Sequence, residues 1–312
     1  MEHLTDKNIA LDLVRVTEAA ALASAKYAGR GNKEEADGAA VDAMRIAFHS
    51  LNIDGEVVIG EGEKDHAPML YNGERVGNGN GPKVEIAVDP VEGTSLCAYG
   101  KSNSISVVGM VEAGHMFRPG RSYYCQKLAV GADAASVIDL DAPIKDNIIK
   151  VAKAKGKTIS EIVVFVLNKP RHEQLIKDIL ATGARVQLHS DGDVAGSLLA
   201  VDPRSDVDLL VGIGGTPEVV ISACAIKGTG GQILTRLAPK TEEERRNIIE
   251  DGIDLNAIRS VDDIITSEKC FFAATGITNG QLLKGVTYKN GFAVTSSLTT
   301  RGKTGTMRYI EA

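Results

Sequence analysis

The chain has 312 residues and carries 41 acidic against 35 basic side chains, a formal net charge of −6. This length holds one large domain or two moderate ones, and the negative balance provides no general basic surface for nucleic acid or for an anionic membrane. None of the four cysteines stands in a C-x-x-C pair. Zinc and thioredoxin-like sites therefore lack support, and we expect reduced, buried thiols in a cytoplasmic protein. No apolar run reaches the length of a membrane span.

The first half of the chain mixes two kinds of pattern. Apolar and small residues recur with helical spacing over 8–28 and 33–48. Short apolar runs predict strands over 57–59, 84–88 and 105–111.

The helix over 33–48 has charged residues in line with its apolar stripe. Val41, Met44 and Phe48 form the stripe, and stepping back by turns leads to Asp37 and then to Lys33. A buried carboxylate and ammonium need partners, so this end of the helix is a candidate site. The alternative is a solvated first turn, where an acid also suits the helix dipole. This helix alone does not decide between the two.

The strand over 57–59 runs into an acidic, glycine-rich stretch. Glu61 lies nearest the end of the strand and is the best candidate there for a metal ligand, and Asp65 is placed to orient a water. The alternative interpretation is an acidic surface loop.

The most informative stretch is 84–94, where an apolar strand runs directly into DPVEGT. Asp89 and Glu92 put two carboxylates on one tight turn, and Pro90 biases Asp89 towards extended geometry. Gly93 lets backbone amides approach a ligand closely. Carboxylates suit Mg²⁺ or Mn²⁺ and amides at a helix start suit phosphate, so the turn predicts metal-assisted phosphate chemistry. The alternative is a capped strand-end turn.

The second half alternates strands and helices more regularly. Strand patterns over 162–167, 185–188 and 207–211 are followed by helical patterns over 172–182, 194–200 and 218–227. This βαβαβα order predicts a largely parallel sheet with helices on its faces. A charged surface helix follows over 240–251, and short strands follow from residue 271. We place the division of the chain near residue 145, giving halves 1–145 and 146–312 of one compact unit.

Polar residues follow each of the three strands of the second half. Ligands of open α/β sheets bind outside the carboxyl ends of the strands. Arg171 suits a phosphate because its planar fork bonds two oxygens. Asp191 and Asp193 suit sugar hydroxyls, and Glu218 could reach a metal. Solvated helix starts and N-caps are the ordinary alternatives for each junction. The junctions are Lys169–His172, Asp191–Asp193 and Gly212–Glu218.

Nine ordered blocks of the chain resemble the class II fructose-1,6-bisphosphatases, the bacterial type that in some members also acts on sedoheptulose 1,7-bisphosphate. The DPxE/DGT turn is shared with the wider superfamily that includes the inositol phosphatases. The blocks are VTEAAALAS (16–24), ADGAAV (36–41), VIGEGEKD (58–65), APMLY (67–71), AVDPVEGT (87–94), KPRH (169–172), DGDVA (191–195), GIGGTPE (212–218) and AATGIT (273–278).

The resemblance implies a fold and a set of site residues. The fold is a sugar-phosphatase, inositol phosphatase-like arrangement of stacked helix and sheet layers that mixes α/β and α+β features. The implied catalytic residues are Thr94 near the attacking water, Asp65 and Lys33. The implied ligands of Mn²⁺ or Mg²⁺ are Asp37, Glu61, Asp89, Glu92 and Glu218. The implied substrate contacts are Glu92, Gly93, Thr94, Tyr124, Lys169, Arg171, His172, Asp191, Gly192, Asp193 and Gly215.

The resemblance also implies an activity, the hydrolysis of the 1-phosphate of fructose 1,6-bisphosphate in gluconeogenesis by a cytoplasmic homo-oligomer, a dimer or tetramer. Three alternatives stay open. The substrate could be sedoheptulose 1,7-bisphosphate, alone or in a dual activity, or an inositol monophosphate, although Arg171 and Lys169 favour a second phosphate. A more remote alternative is a non-catalytic sugar-phosphate sensor on the same scaffold.

Overall fold

The structure of the protein is a computed structural model that describes residues 9–60 and 70–312. Two compact units make up the chain. The first is formed by the residues up to Met116 together with Ile265–Ala312, and the second is Phe117–Ile264. Glu61 and Asp65 lie outside the described residues.

Helices and strands alternate along much of the chain, with short 3-10 turns between some of them. The helices are α1 Ala10–Ala25, α2 Lys33–His49, α3 Thr94–Ala98, α4 Ile144–Lys155, α5 Glu173–Ala181, α6 Asp193–Val201, α7 Thr216–Ile226, α8 Glu242–Glu250 and α9 Val261–Ile264. The strands are β1 Asp54–Ile59, β2 Arg75–Val76, β3 Lys83–Glu92, β4 Ile105–Glu112, β5 Tyr124–Val130, β6 Val163–Leu167, β7 Arg185–His189, β8 Leu209–Gly215, β9 Gln232–Leu237, β10 Cys270–Gly276, β11 Thr287–Lys289, β12 Phe292–Val294, β13 Ser296–Arg301 and β14 Thr306–Glu311.

The first unit is built on a seven-stranded sheet in the order β14-β13-β10-β4-β3-β1-β2. Only β1 and β3 pair in parallel, and the other neighbours are antiparallel. The helices α1 and α2 pack on each other and on this sheet. Leu13, Thr17, Ala20 and Ser24 recur at helical spacing along the buried side of α1, which is why this segment forms an amphipathic helix against the strands.

The second unit is built on a five-stranded sheet in the order β7-β6-β8-β5-β9. The strand β6 pairs in parallel with β7 and β8, as the βαβαβα pattern predicted. However, β5 pairs antiparallel with β8 and β9, so the sheet is mixed. Ile148 of α4 and Ile179 of α5 pack with Val164 on one face. Phe165 alternates with Val164 and lies against Gly196 of α6 on the other face.

The boundary between the units differs from the single division near residue 145. The chain crosses between units twice, after residue 116 and after residue 264. The cause is strand pairing, because β10 pairs along its whole length with β4 and thereby returns the last strands of the chain to the first sheet. Layers of helix packed on sheet are present in both units, and the predicted mixed α/β and α+β architecture is confirmed. In the described part of the chain no helix is long and apolar enough to cross a membrane.

Candidate functional site

The acidic turn lies where β3 bulges out of its pairing with β4. Asp89 pairs with Val107 and Glu92 with Ile105, so three steps along β3 match two steps along β4. This extra residue is a β-bulge. In a regular strand, residues three apart face opposite sides of the sheet. The bulge corrects that offset, and both carboxylates therefore lie on one face. The half-buried Asp89 and the buried Glu92 form a pair of acids at the end of the strand.

Backbone and side-chain hydrogen bonds fix the shape of this turn. Asp89 Oδ1 accepts the amide of Val91 at 2.9 Å, and Thr94 Oγ1 donates to the carbonyl of Val91 at 3.1 Å. Gly93 has the left-handed conformation, with φ 76° and ψ 49°, and precedes the short helix α3. A side chain at this position would be strained. The sequence DPVEGT therefore specifies a rigid turn that presents two carboxylates and a hydroxyl.

The helix α2 contributes the second group of predicted residues in the first unit. It packs against β3 and α3, and Asn32 caps its first turn by accepting the amide of Glu35 at 3.2 Å. Asp37 is half-buried, whereas Lys33 is exposed. Burial and, secondly, the negative charge of Asp37 raise the pKa of the Cys97 thiol in α3 to about 11. Asp37 therefore lies within electrostatic reach of the helix that follows the acidic turn.

Glycines of β8 make room for polar side chains in the second unit. The sequence predicted that this strand ends at residue 211, but β8 continues to Gly215. A Cβ on Gly212 would lie 2.9 Å from the His172 ring, and one on Gly214 would lie 1.9 Å from Asp193 Oδ2. A Cβ on Gly215 would lie 1.8 Å from Glu218 Oε2. These glycines therefore allow close approach by the side chains of the protein itself.

Lys127 and Asp193 form a buried ion pair. Lys127 Nζ donates to Asp193 Oδ2 at 2.6 Å and to the carbonyl of Gly215 at 3.0 Å, and the two side chains are 2% and 6% exposed. Burial lowers the pKa of Lys127, but the charge of Asp193 and further acids, Glu218 among them, outweigh burial and raise the pKa above its usual value. One ammonium thus ties the start of α6 to the start of α7. The predicted role of Asp193 with sugar hydroxyls is correspondingly limited, because its Oδ2 already accepts from Lys127.

Glu218 lies in the first turn of α7 beside this pair. Burial first, and the charge of Asp193 second, raise the pKa of Glu218 to about 7. Its Oε2 is buried and has no hydrogen-bond partner among the described residues. A buried carboxylate oxygen without a donor fits a site for a cation, since carboxylates are preferred ligands of hard divalent ions.

His172 plays a structural role at the first βα junction. Its ring is 2% exposed, Nε2 accepts the amide of Ile213 at 2.8 Å, and Nδ1 donates to the carbonyl of Leu167 at 2.7 Å. Burial lowers the pKa of His172, so the ring is neutral at pH 7. Both nitrogens are occupied by backbone groups, and the expected contact between the His172 ring and substrate is therefore not supported. The ring instead holds β6 and β8 together.

Arg171 and Tyr124 lie together on the second unit. The Arg171 fork donates from Nε at 2.9 Å and from Nη2 at 2.8 Å to the carbonyl of Ile213. Its guanidinium lies 5.7 Å from the centre of the Tyr124 ring. Lys169 and Asp191 are half-buried, and Gly192, with φ 91°, follows Asp191 and directly precedes α6. These bonds to Ile213 occupy the Nε–Nη2 edge of the Arg171 guanidinium and fix its orientation, so the remaining N–H groups of Nη1 and Nη2 are the donors that could bind a phosphate.

Comparison with known proteins decides the family. A family model for "Bacterial fructose-1,6-bisphosphatase, glpX-encoded" matches residues 7–312. The chain is 44% identical to the "Fructose-1,6-bisphosphatase class 2" of Haemophilus influenzae over 98% of its length and 96% of the relative. It is 45% identical to the "Fructose-1,6-bisphosphatase 1 class 2" of Escherichia coli K12, over 98% and 95% of the two chains. The chain belongs to the family of bacterial, glpX-encoded fructose-1,6-bisphosphatases.

The described residues predicted as metal ligands in this bisphosphatase belong to different units. Asp37, Asp89 and Glu92 belong to the first unit, and Glu218 belongs to the second. Within residues 9–60 and 70–312, no cluster of three or more His, Cys, Asp or Glu side chains meets the geometry for holding a metal. The carboxylate chemistry of the donor set and the buried Glu218 Oε2 fit a hard divalent cation.

Sequence reasoning about this bisphosphatase missed Lys127 and Lys240. Lys127 lies within the apolar run of β5, and its partner Asp193 is 66 residues away, so no local spacing connects them. A lysine in an otherwise buried strand is nevertheless a signal, because a buried ammonium requires an acid. Lys240, which the sequence pattern assigned to a charged surface helix, lies before α8 with its Nζ 3.1 Å from the centre of the Tyr124 ring.

Proposed function

We propose that this chain hydrolyses the 1-phosphate of fructose 1,6-bisphosphate, giving fructose 6-phosphate and phosphate, as a step of gluconeogenesis. The identity of 44–45% over 98% of the chain with proteins named fructose-1,6-bisphosphatase carries the proposal. The paired carboxylates of the DPVEGT turn support it, since they offer the ligands that phosphate hydrolysis with a divalent ion requires.

The proposed divalent ion is Mn²⁺ or Mg²⁺, with carboxylate oxygens of the chain as its ligands. When bound, it would neutralise phosphate charge and lower the pKa of a water. The carboxylates of the chain would orient the phosphate ester by holding the ion, and Lys33 would add positive charge nearby. The proposed ligands are Asp37, Glu61, Asp89, Glu92 and Glu218.

Thr94 is suited to position the attacking water. Its hydroxyl hydrogen is donated to the carbonyl of Val91, so the lone pairs of Oγ1 remain for a hydrogen bond from a water. Asp65 is the second proposed water-orienting residue. A water fixed in this way would attack in line with the departing C1 oxygen, so that alignment rather than covalent catalysis supplies the rate enhancement.

The second phosphate of the substrate would be bound on the second unit. Arg171 is oriented by the carbonyl of Ile213, and Tyr124 lies beside it. Lys169 is the other proposed contact, and Asp191, Gly192 and Gly215 are proposed to line the sugar. Binding energy gathered at a remote phosphate aligns the reacting one. We further propose that the enzyme is cytoplasmic and acts as a homo-oligomer, a dimer or tetramer.

A substrate panel assayed with Mn²⁺ tests this function. Phosphate release would be measured from fructose 1,6-bisphosphate, sedoheptulose 1,7-bisphosphate and an inositol monophosphate, with Glu92→Gln as the inactive control. The proposal expects the highest kcat/KM for fructose 1,6-bisphosphate and at least ~100-fold loss in the control, because a ligand of the catalytic ion is removed. Sugar bisphosphate binding without release above the control would instead identify a sensor.

A further inference from the structure

A lysine outside the predicted site lies on the ring of Tyr124. Lys240 follows β9 by three residues, and its exposed side chain reaches across to the first residue of β5. Lys240 Nζ is 3.1 Å from the centre of the Tyr124 ring. The contact is a cation–π interaction, and it gives Tyr124 a second cation besides Arg171.

The backbone of Lys240 is fixed by a buried acid. Glu244 is 5% exposed, and its two carboxylate oxygens accept the amide of Tyr123 at 2.9 Å and the amide of Lys240 at 2.8 Å. Thr241 caps α8 by accepting the amide of Glu244 at 3.1 Å. One buried carboxylate thus bonds both the residue before Tyr124 and Lys240 itself. Lys240 is therefore held beside Tyr124 by more than its flexible side chain.

The two cations on Tyr124 are close enough to share one anion. Arg171 Cζ lies 5.7 Å from the ring centre and Lys240 Nζ lies 3.1 Å from it, so the two atoms are less than about 9 Å apart. Two charge-assisted hydrogen bonds of about 2.8 Å, on either side of one phosphate group, span a comparable distance. Like charges at this separation repel each other, and an anion bound by both would remove that repulsion.

We propose that Lys240 is a specificity-determining residue that binds the second phosphate of a sugar bisphosphate together with Arg171. The inference rests on the proposed function, because it assigns Lys240 to the remote phosphate of that substrate. Binding of the second phosphate by the cluster of Arg171, Tyr124 and Lys240 would favour a bisphosphate over a monophosphate, because a monophosphate has no group for Arg171 and Lys240 to bind. If Lys240 only stabilised the fold, its removal would impair the hydrolysis of bisphosphate and monophosphate substrates equally.

Lys240→Ala tests the proposal on two substrates. The bond from the Lys240 amide to Glu244 does not involve the side chain, so the variant keeps its backbone anchor. Hydrolysis of fructose 1,6-bisphosphate would be compared with that of fructose 1-phosphate, which keeps the reacting group and lacks the second phosphate. Lys150→Ala, at an exposed position of α4, removes the same charge as a matched control. Lys240→Arg keeps the charge.

The expected result is a change in KM confined to the bisphosphate. Lys240→Ala should raise KM for fructose 1,6-bisphosphate by about 10- to 100-fold, the usual weight of a hydrogen bond to a charged group, with kcat within about twofold of wild type. KM for fructose 1-phosphate should not change, Lys240→Arg should retain most of the affinity, and Lys150→Ala should match wild type. An unchanged KM for the bisphosphate, or an equal loss on both substrates, would overturn the assignment.

A direct measurement of substrate binding tests the Lys240 assignment independently of the proposed function. Calorimetric titration of fructose 1,6-bisphosphate into wild type and Lys240→Ala requires no turnover. If wild type releases no phosphate but Lys240→Ala still binds the bisphosphate at least 10-fold more weakly, the function fails and the Lys240 assignment stands. If wild type is active and both proteins bind equally, the function stands and the assignment fails.

Discussion

Gly215→Ala displaces the Glu218 carboxylate without straining the backbone. Gly215 has φ −68° and ψ 142°, a conformation that alanine adopts readily. Its Cβ, however, would lie 1.8 Å from Glu218 Oε2 and 2.3 Å from Cδ. Carbon atoms do not tolerate contacts under 3.0 Å, so the carboxylate must retreat by about 1.2 Å or more. The substitution therefore moves one proposed metal ligand and leaves its chemistry unchanged.

The expected effect on catalysis is large and the expected effect on stability is small. A displacement of about 1 Å in a positioning group lowers rates by about 100-fold, and we expect a loss of that size in kcat for fructose 1,6-bisphosphate. Alanine in place of glycine before α7 costs about 1 kcal/mol or less. This free energy corresponds to a fall of a few degrees in Tm for a chain of this size.

Steady-state phosphate release with saturating Mn²⁺, combined with thermal unfolding, measures both quantities. Gly131→Ala is the matched control, because its Cβ would meet the exposed Asp133 side chain at 3.2 Å, a neighbour able to move away. The control should keep wild-type kcat. A folded Gly215→Ala enzyme with kcat within twofold of wild type would refute the reasoning, since it would show that the position of the Glu218 carboxylate does not matter.

Two further measurements test the phosphate-binding role of Arg171 and the raised pKa of Glu218. Arg171→Ala should raise KM for fructose 1,6-bisphosphate by about 10-fold or more in steady-state assays, and a loss confined to kcat would contradict binding of the remote phosphate. In the folded, metal-free protein the Glu218 carboxyl has a pKa of about 7, whereas in the unfolded chain its pKa is near 4.5. The free energy of unfolding should therefore fall between these pH values as pH rises, by at most about 1.4 kcal/mol per pH unit. Urea unfolding in EDTA should show this slope in wild type and a flatter one in Glu218→Gln, and equal slopes would disprove the shift.

The acidic turn illustrates what a sequence reveals about a site. Asp89, Pro90, Glu92 and Gly93 are consecutive or nearly so, and each has a strong local preference, so a rigid acidic turn was predictable. The bulge that turns both carboxylates to one face was not predictable. It depends on the register with β4, which is set by pairing between residues distant in sequence.

Only some strands of the second sheet were predictable from the sequence. The parallel strands β6, β7 and β8 were predictable because each is followed by a helix. The antiparallel strands β5 and β9 were missed because a buried polar residue, Lys127 in β5 and Thr235 in β9, interrupts each apolar pattern. Gly214, beside the predicted substrate contact Gly215, accommodates the Lys127–Asp193 pair. A glycine reveals that something lies close, and only the tertiary structure reveals what it is.

The division into units could not be predicted from local sequence patterns, because it depends on pairing between strands that are distant in sequence. The strand β10 pairs with β4, about 160 residues earlier in the chain, and β13 and β14 then extend the first sheet. Strand pairing at such separation leaves no change of composition at the crossing points, so a single midpoint near residue 145 was the available estimate. The hydrogen bonds of the His172 ring were likewise not predictable, because only the fold brings Leu167 and Ile213 to its two nitrogens.

The dependence of phosphate release on a divalent ion tests the central claim most directly. Protein treated with EDTA and freed of the chelator would be assayed with fructose 1,6-bisphosphate before and after addition of Mn²⁺ or Mg²⁺. We predict that activity is lost on treatment and returns with the ion in wild type, but returns by no more than about 1% in Glu92→Gln. Undiminished hydrolysis in the chelated protein would contradict the assignment of these carboxylates to a catalytic cation.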